Sequence, residues 1–492
     1  MSKTLKNSSR KNSSRKNKNS CKVRLSKVSK GMKGGSKNSP ALKKTTRETR
    51  ETIVRKLKEF NTICKDFGVC LALGKYTNII KHIFDNFTSF KYVESYSIVK
   101  CIGKGGCGII HEISYIKDEY RSYAILKSNL DQDADNLMYE YNVGMFINYL
   151  NTIYPCFLET YGLYKYANKK TWEKYKDNEF DEQLEDLGKK LSTDLKIIKN
   201  IDYNEACKDP ELLAILIQNL SGIKSFNGIL SDGNLYDEFI NNELLYSLFQ
   251  VYIPLNNIRE YFTHYDLHGA NIQLYSPKEN HYIEFHYHFT TTDILPEPTI
   301  ISFKSSYITK IIDYGHSYFN FSKDFFTNAN EADDSNSLDI YENQLCKAKN
   351  CNTENDLTDD YFCGEDKGFG MLHIKDEEEE TYSYIRPIKK NISHDLRIIK
   401  RLKDIKLSQN YPNYEWVDNV NYRKIAGTPE MLKSGLSDNE INNIRDVAII
   451  LAEKVNNQHK IEENNTNFKG KKKLGDLHIY VDNFKPMEYI PA

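Results

Sequence analysis

The chain has 492 residues and no formal net charge. Its length and its 39% apolar content are enough to form the core of one large domain or of two to three ordinary ones. No apolar run approaches the roughly 18 residues of a membrane span, and the ten scattered Cys do not resemble a secreted disulfide framework. These features exclude membrane-spanning and disulfide-rich secreted classes, and we expect a soluble intracellular protein.

Residues 1–50 differ sharply from the rest in charge. They hold 17 Lys and Arg against one acid, Glu48, so this segment carries about +16 and the remainder about −16. Its near-repeats of Asn, Ser, Arg and Lys offer little apolar surface, which predicts a disordered basic tail. Such a tail suits nucleic acid or an acidic partner, and a solubilising or targeting role is an equal alternative.

Residues 51–92 have helical spacing and predict a helical N-terminal extension. The next segment, 93–220, predicts a small antiparallel sheet with one key helix. Its strands are expected at 96–102, 109–115, 121–127 and 211–218 and its helix at 133–150, while the charged stretch 165–207 is interpreted as an insertion.

Residues 221–455 predict a mainly helical unit that begins with a helix at 242–262. Short strands are expected near 271–275 and 308–312, on either side of a hairpin-like insertion at about 277–307. A polar, acidic insertion is expected at about 320–390, and helices from about residue 393 to the end. We interpret 456–492 as a C-terminal tail.

The first motif with chemical meaning is Gly-Lys-Gly-Gly-Cys-Gly at 103–108. Glycines let a backbone approach phosphates and aim its N–H groups at them. A dinucleotide-binding loop opens a helix, whereas Ile109 and Ile110 continue here as a strand. The pattern therefore indicates a strand–loop–strand cover over phosphates.

The second motif is Lys127, at the end of the apolar strand Tyr-Ala-Ile-Leu. A lysine in that position is costly to bury unless it meets an anion. The helix that follows carries Glu140, which can pair with Lys127, and Asp135 is the alternative partner.

The third motif is His-Tyr-Asp-Leu-His-Gly-Ala-Asn at 264–271, followed by a predicted strand that ends in Asp313-Tyr314-Gly315. Phosphoryl transfer needs one carboxylate at the attacking hydroxyl and oxygen ligands for Mg²⁺. Asp266 and Asn271, five residues apart on one loop, can provide the carboxylate and an oxygen ligand from one side of the site. Asp313, at the end of a strand, can provide a further metal ligand from the other side.

These motifs, in this order, resemble the protein kinase superfamily over about residues 95–320. The resemblance implies an α+β, bilobal protein-kinase-like fold with a small antiparallel β lobe and a larger, mainly helical lobe. It also implies a phosphotransferase that uses ATP and Mg²⁺ to phosphorylate Ser or Thr hydroxyls of protein substrates.

The resemblance assigns Asp266 as catalytic base, with Lys127 and His264 as further catalytic residues and Asn271 and Asp313 as metal ligands. Asp395 would brace the catalytic loop. The implied nucleotide-binding residues are Ile102, Gly103, Lys104, Gly105, Gly106, Cys107, Gly108, Ile109, Ile110, Lys127 and Glu140.

Several departures from the family keep two alternatives open. His268 replaces the usual catalytic-loop lysine, as in small-molecule kinases of the choline and aminoglycoside type. No activation segment is evident. The end of such a segment is resembled by Gly427-Thr428-Pro429-Glu430, but these residues fit the start of a helix better, with Thr428 as cap and Pro429 in the first turn. A non-catalytic nucleotide-binding scaffold is the second alternative.

Residues 64–74 also resemble kinases of giant DNA viruses, which would place the protein in the host cytoplasm or the virion. Cys346, Cys351, Cys363 and His373 lack the tight spacing of common zinc sites, so we interpret them as loop residues. We interpret His281, His286 and His288 as a solvent-facing hairpin rather than as metal ligands, and the acidic run 376–380 as a solvated face.

Overall fold

The computed structural model describes part of the chain, and the statements below concern that part. The described ranges are 73–94, 100–105, 108–117, 120–129, 136–177, 187–198, 209–220, 223–290, 294–295, 297–315, 317–319, 391–421, 442–462 and 468–492. Expectations about the basic tail, the acidic run, Asp135, the thiols with His373 and residues 427–430 therefore lie outside the described residues.

Among the described elements, helix α1 comes first and is followed by an antiparallel sheet of six described strands in the order β1-β2-β3-β6-β4-β5. Strands β2 and β3 are rich in β-branched and aromatic residues and alternate buried with half-buried positions, which suits a pleated sheet with one covered face. The elements are α1 (Lys75–Ile83), β1 (Lys100–Gly105), β2 (Gly108–Lys117), β3 (Tyr120–Ser128), β4 (Thr160–Tyr166), β5 (Leu195–Ile197) and β6 (Leu213–Asn219).

Helix α2 (Asn136–Leu150) is the key helix of this region and packs against β4 and β6. Its apolar residues are buried on most sides, with Met145 as an exposed exception. The segment 165–207, interpreted from sequence as an insertion, supplies α3 (Lys169–Asp177), α4 (Leu187–Asp194) and the edge strand β5. Trp172 and Leu191 are fully buried, so this segment contributes to the hydrophobic core.

The middle of the chain surrounds one long buried helix. Helix α7 is buried along almost its whole length, and small sheets of two and three strands hold the loops beside it. These elements are β7 (Ile223–Ser225), α5 (Phe226–Leu230), α6 (Tyr236–Asn242), α7 (Leu244–Asn257), β8 (Phe262–Thr263), β9 (Ile272–Tyr275), β12 (Ile308–Ile311) and β13 (Tyr318–Phe319).

A second large sheet joins distant parts of the chain in the order β11-β10-β14-β15. Strands β10 (His281–Phe289) and β11 (Thr299–Ser305) form the expected antiparallel hairpin. Strand β14 (Lys472–Tyr480) runs parallel to β10, and β15 (Glu488–Pro491) pairs with β14.

The expectation that helices continue to the end of the chain is therefore wrong. Gly475, Leu477 and Ile479 are buried and alternate with half-buried neighbours, which is the two-residue period of a strand.

Helices do return at 391–462, as expected for the residues that the structure describes there. A 3₁₀ turn at His394–Leu396 leads into α8 (Arg397–Asp404), α9 (Leu407–Asn410) and a 3₁₀ helix at Pro412–Asn419. Helix α10 (Ile444–Glu462) packs against α7 and β11. Within the described ranges, no helix is both long enough and apolar enough for a membrane crossing.

Candidate active site

Lys127, at the end of β3, lies between two carboxylates. Its Nζ is 2.7 Å from Glu140 Oε2 on α2 and 2.8 Å from Asp313 Oδ1, just after β12. Burial disfavours the ammonium charge, but the nearby Asp313 and Glu140 outweigh it and hold the pKa of Lys127 above its ordinary value. A charged lysine is therefore fixed where sheet, helix and the Asp313 turn meet.

The two carboxylates differ in accessibility. The Glu140 side chain is 2% exposed, whereas the Asp313 side chain is 32% exposed. Asp313 also has a left-handed backbone, with φ of 67°, at the sharp turn after β12. Glu140 is thus a buried partner that holds the lysine, while the carboxylate of Asp313 is more accessible and can also face a ligand.

The described glycines of this segment lie on two antiparallel strands beside Lys127. Gly105 on β1 is opposite Gly108 on β2, and Ile110 on β2 is opposite Lys127 on β3. A Cβ on Gly108 would lie 2.7 Å from the Ser128 carbonyl oxygen and 3.6 Å from Lys127 Cγ, so only glycine fits this approach.

Four predicted loop residues lie on β1, namely Ile102, Gly103, Lys104 and Gly105, and three lie on β2, namely Gly108, Ile109 and Ile110. Gly106 and Cys107 lie outside the described residues.

The loop 264–271 brings Asp266 and Asn271 into direct contact. Asn271 Nδ2 donates to the Asp266 main-chain oxygen at 2.9 Å and to its Oδ2 at 3.0 Å. The backbone also turns tightly, because His268 N donates to Asp266 O and Asn271 N donates to His268 O, each at 2.9 Å. The carboxylate and the amide therefore share one face of a rigid turn.

His264 connects this loop to the strand that ends at Asp313. Its Nδ1 accepts from Asp266 N at 3.2 Å, so Nε2 carries the proton and donates to Ile312 O at 3.0 Å. Ile312 N in turn donates to Asn271 O at 3.0 Å. Burial lowers the pKa of His264 to about 4, so the ring is neutral and acts as a structural link.

Asp395 braces the same loop from the helical region, as expected from the resemblance. Its Oδ2 accepts from His264 N at 2.7 Å and its Oδ1 from Tyr265 N at 2.9 Å. Tyr265 has a left-handed φ of 64°, which the two hydrogen bonds help to hold. Burial raises the pKa of Asp395 to about 7, against the lowering effect of these two N–H groups.

Arg397 belongs to this site although the sequence did not single it out. Its Nη1 is 3.0 Å from Asp266 Oδ1, and the Asp266 side chain is only 4% exposed. His268 Nε2 lies farther from the carboxylate, at 3.6 Å from Oδ2. The guanidinium is therefore the nearest cation to Asp266 within the described residues. Arg397 follows the bracing Asp395 by two residues, but this position does not by itself indicate a contact with Asp266.

Comparison with known proteins adds little to this geometry. No protein-family model and no curated protein sequence matches the chain. Among solved structures, a Plasmodium kinase domain is 14% identical over 49% of this chain and 56% of its own, with a TM-score of 0.26. The BubR1 kinase domain is 11% identical over 55% of this chain and 60% of its own, with a TM-score of 0.23.

The chain thus spans less than two thirds of either kinase domain. TM-scores of this size do not indicate a common fold by themselves, so what the site can do follows from its own geometry.

Proposed function

We propose that this chain is a protein kinase that transfers the γ-phosphate of ATP, with Mg²⁺, to Ser or Thr hydroxyls of protein substrates. The observation that carries the proposal is the proximity of Lys127 to two carboxylates, because its ammonium contacts both Glu140 and Asp313. The Asp266–Asn271 turn lies beside this group, since Ile312, the residue before Asp313, donates its N–H to the Asn271 carbonyl oxygen. A fixed cation, a loop carboxylate and oxygen ligands are what phosphoryl transfer requires.

The oxygen-rich donor set suits magnesium. Asp313 offers a half-exposed carboxylate, and Asn271 uses Nδ2 on Asp266, which leaves its side-chain oxygen for a metal. Hard oxygen ligands of this kind are those that Mg²⁺ prefers, and the bound ion would neutralise phosphate charge.

Each protein group has a distinct part in the proposed reaction. Lys127 holds nucleotide phosphates while Glu140 keeps its ammonium in place. The β1–β2 hairpin covers them, and Asp266 orients the attacking hydroxyl and accepts its proton.

The test is transfer of radiolabelled phosphate from Mg²⁺-ATP to generic acceptor proteins by the full chain. Asp266→Asn keeps the size of the side chain but removes the base, so we expect a loss of about a hundredfold to ten-thousandfold. Asp313→Asn should raise the Mg²⁺ concentration needed for activity. Asp404→Asn, the same change at an exposed site on α8, is the matched control and should keep activity.

The outcomes distinguish the alternatives. Protein labelling that disappears in Asp266→Asn supports the proposal. Labelling of choline or an aminoglycoside, with none of protein, would assign a small-molecule kinase instead, to which His268 points. ATP binding without transfer to any acceptor would assign a non-catalytic scaffold.

A further inference from the structure

The second sheet has a half-buried face lined with imidazoles and carboxylates. Glu284, His286 and His288 alternate along β10, and Asp476 and His478 lie directly opposite Glu284 and His286 on the parallel strand β14. Side chains two residues apart lie on the same face of a strand, so the pairing of β10 with β14 places these five side chains on one face of the sheet. From the sequence we interpreted His286 and His288 as part of a solvent-facing hairpin, and the pairing of their strand with β14 was not predicted.

Three of these side chains converge on one point. One ligand atom from each of Glu284, His286 and Asp476 lies within 4.8 Å of the other two. His286 Nε2 is 3.0 Å from Asp476 Oδ1, while its Nδ1 is 2.8 Å from Ser302 Oγ on β11. When Nδ1–H donates to Ser302, the Nε2 lone pair faces Asp476, and a cation between them satisfies both atoms.

The charge around these atoms also favours a cation. Lys473 Nζ contacts Glu284 Oε2 at 2.8 Å and Asp476 Oδ1 at 2.7 Å. Two carboxylates thus share one ammonium, so these three charged side chains together carry a net negative charge. The Lys473 side chain is 33% exposed, so it can swing into solvent when a metal takes its place.

We propose that Glu284, His286 and Asp476 form a binding site for a divalent first-row transition-metal ion, with Zn²⁺ as the expected occupant. One imidazole and two carboxylates suit Zn²⁺, whose bonds to such ligands are about 2.0–2.2 Å long. Mg²⁺ and Ca²⁺ prefer oxygen ligands alone, so they should bind more weakly here. The site is separate from the candidate active site and does not depend on the proposed function.

Such an ion would cross-link strands far apart in sequence. His286 and Asp476 are separated by 190 residues, and β14 is an interior strand of its sheet. Because the ion binds the folded sheet, it should raise the stability of the protein as its concentration rises above the dissociation constant.

The experiment is a titration of the chelator-treated full chain with Zn²⁺, followed by calorimetry, and with Co²⁺, followed by visible absorption. Cys346, Cys351 and Cys363 are replaced by Ser in every protein compared, so that this group of thiols does not contribute. His286→Ala is compared with His281→Ala, a histidine on the same strand that hydrogen-bonds the Glu279 carbonyl instead.

We expect one Zn²⁺ per chain in the parent and in His281→Ala, and at least a tenfold loss of affinity in His286→Ala. Ser302→Ala keeps every ligand and should weaken binding by about tenfold through its effect on ring orientation. This milder variant keeps the test decisive if His286→Ala fails to fold, which circular dichroism would reveal.

Added Zn²⁺ should raise the melting temperature of the parent but not that of His286→Ala. Equal Zn²⁺ affinity in His286→Ala and His281→Ala would overturn the proposal, as would the absence of binding in a folded parent or a preference for Mg²⁺ or Ca²⁺.

Discussion

The Asp266 carboxylate is held by two different side chains. Arg397 contacts Oδ1 and Asn271 contacts Oδ2, each at 3.0 Å, and the carboxylate is almost fully buried. A buried carboxylate is costly unless it is paired and hydrogen-bonded. Arg397 therefore both stabilises the charge on Asp266 and fixes the direction in which its second oxygen points.

Removal of the Arg397 guanidinium should impair phosphate transfer more than nucleotide binding. A hydrogen bond to a charged group contributes about 1.5–3 kcal/mol, so we expect Arg397→Ala to lower kcat by about ten- to a hundredfold. The KM for ATP should change little, because Arg397 contacts Asp266 rather than the Lys127 cluster. Steady-state kinetics give both constants.

The matched control is Arg401→Ala, since Arg401 is an exposed residue of the same helix. Equal kcat values for the two variants would contradict a positioning role for Arg397.

His264 should make stability depend on pH below 6.5. Its pKa falls from 6.5 to about 4 on folding because the ring is buried, so above pH 6.5 it is neutral in both states. Between pH 6.5 and 4 the unfolded chain binds a proton that the folded chain does not, which lowers the free energy of unfolding by about 3 kcal/mol. Urea denaturation across this range measures the effect.

His264→Asn keeps an acceptor for Asp266 N and removes the titrating ring. Its stability should fall less steeply than that of the parent across this range, whereas His281→Asn on the second sheet should follow the parent. Parallel pH profiles for the parent and His264→Asn would show that burial of His264 does not carry this dependence.

Sequence reasoning found the residues of the site whose chemistry shows in local patterns. Lys127 stood out as a lysine on an apolar strand, and Asp266 and Asn271 as a carboxylate and an oxygen ligand on one short loop. Arg397 could not be found in this way, because its role depends on where α8 places its side chain relative to a loop more than 100 residues earlier. No local pattern encodes that distance.

At the scale of elements, the position of Glu140 depends on how closely α2 packs against β4. Gly144, one turn along the helix from Glu140, faces Thr160, and a Cβ there would lie 2.1 Å from Thr160 Oγ1 and 2.7 Å from Thr160 Cβ. The absence of a side chain at residue 144 is therefore what lets the helix carry Glu140 to Lys127.

Gly144→Ala should push α2 away from the sheet. The overlap costs more than the roughly 1 kcal/mol that Ala gains in helix propensity, so we expect a net loss of about 1–2 kcal/mol in the free energy of unfolding. Phosphate transfer should fall as well, because Glu140 moves with the helix.

Chemical denaturation of Gly144→Ala is compared with that of Gly233→Ala, where an added Cβ meets nothing within 4 Å. Equal stability of the two variants would mean that the helix moves without cost.

The elements that sequence reasoning located well are those with strong internal periodicity. Helix α7 begins two residues after the predicted start and ends five residues before the predicted end, and β6 matches its prediction closely. Strand β14 was missed although Leu477 and Ile479 alternate with polar residues. Its pairing with β10 brings His286 into contact with Asp476, 190 positions away, and such long-range partners leave no mark on local composition.

At the scale of the whole molecule, the C-terminal strands are part of the hydrophobic core. Leu477, Ile479 and Tyr489 are at most 3% exposed, and Tyr154 donates from its hydroxyl to the Val481 carbonyl oxygen at 2.8 Å. Residues 468–492 therefore contribute to the core rather than follow it, whereas the sequence suggested a tail for 456–492.

Two isoleucines near the C-terminus test this integration. Ile479 is fully buried and Ile490 is 51% exposed, so Ile479→Ala should cost about 2–5 kcal/mol and Ile490→Ala less than about 0.5 kcal/mol. The free energy of unfolding, monitored for the whole chain by tryptophan fluorescence, measures both. If Ile479→Ala leaves global unfolding unchanged, the C-terminal strands unfold independently of the rest.

Because β14 follows β10 late in the chain, β10 is synthesised well before the strand with which it pairs in parallel. A ribosome that adds about 5–20 residues per second needs about 10–40 s to make the 190 residues between His286 and Asp476. Throughout that interval one edge of β10 offers unpaired N–H and C=O groups, the kind of edge that recruits strands from other chains. Nascent protein should therefore be most prone to aggregation in that window, and chaperones that shield strand edges should improve its yield.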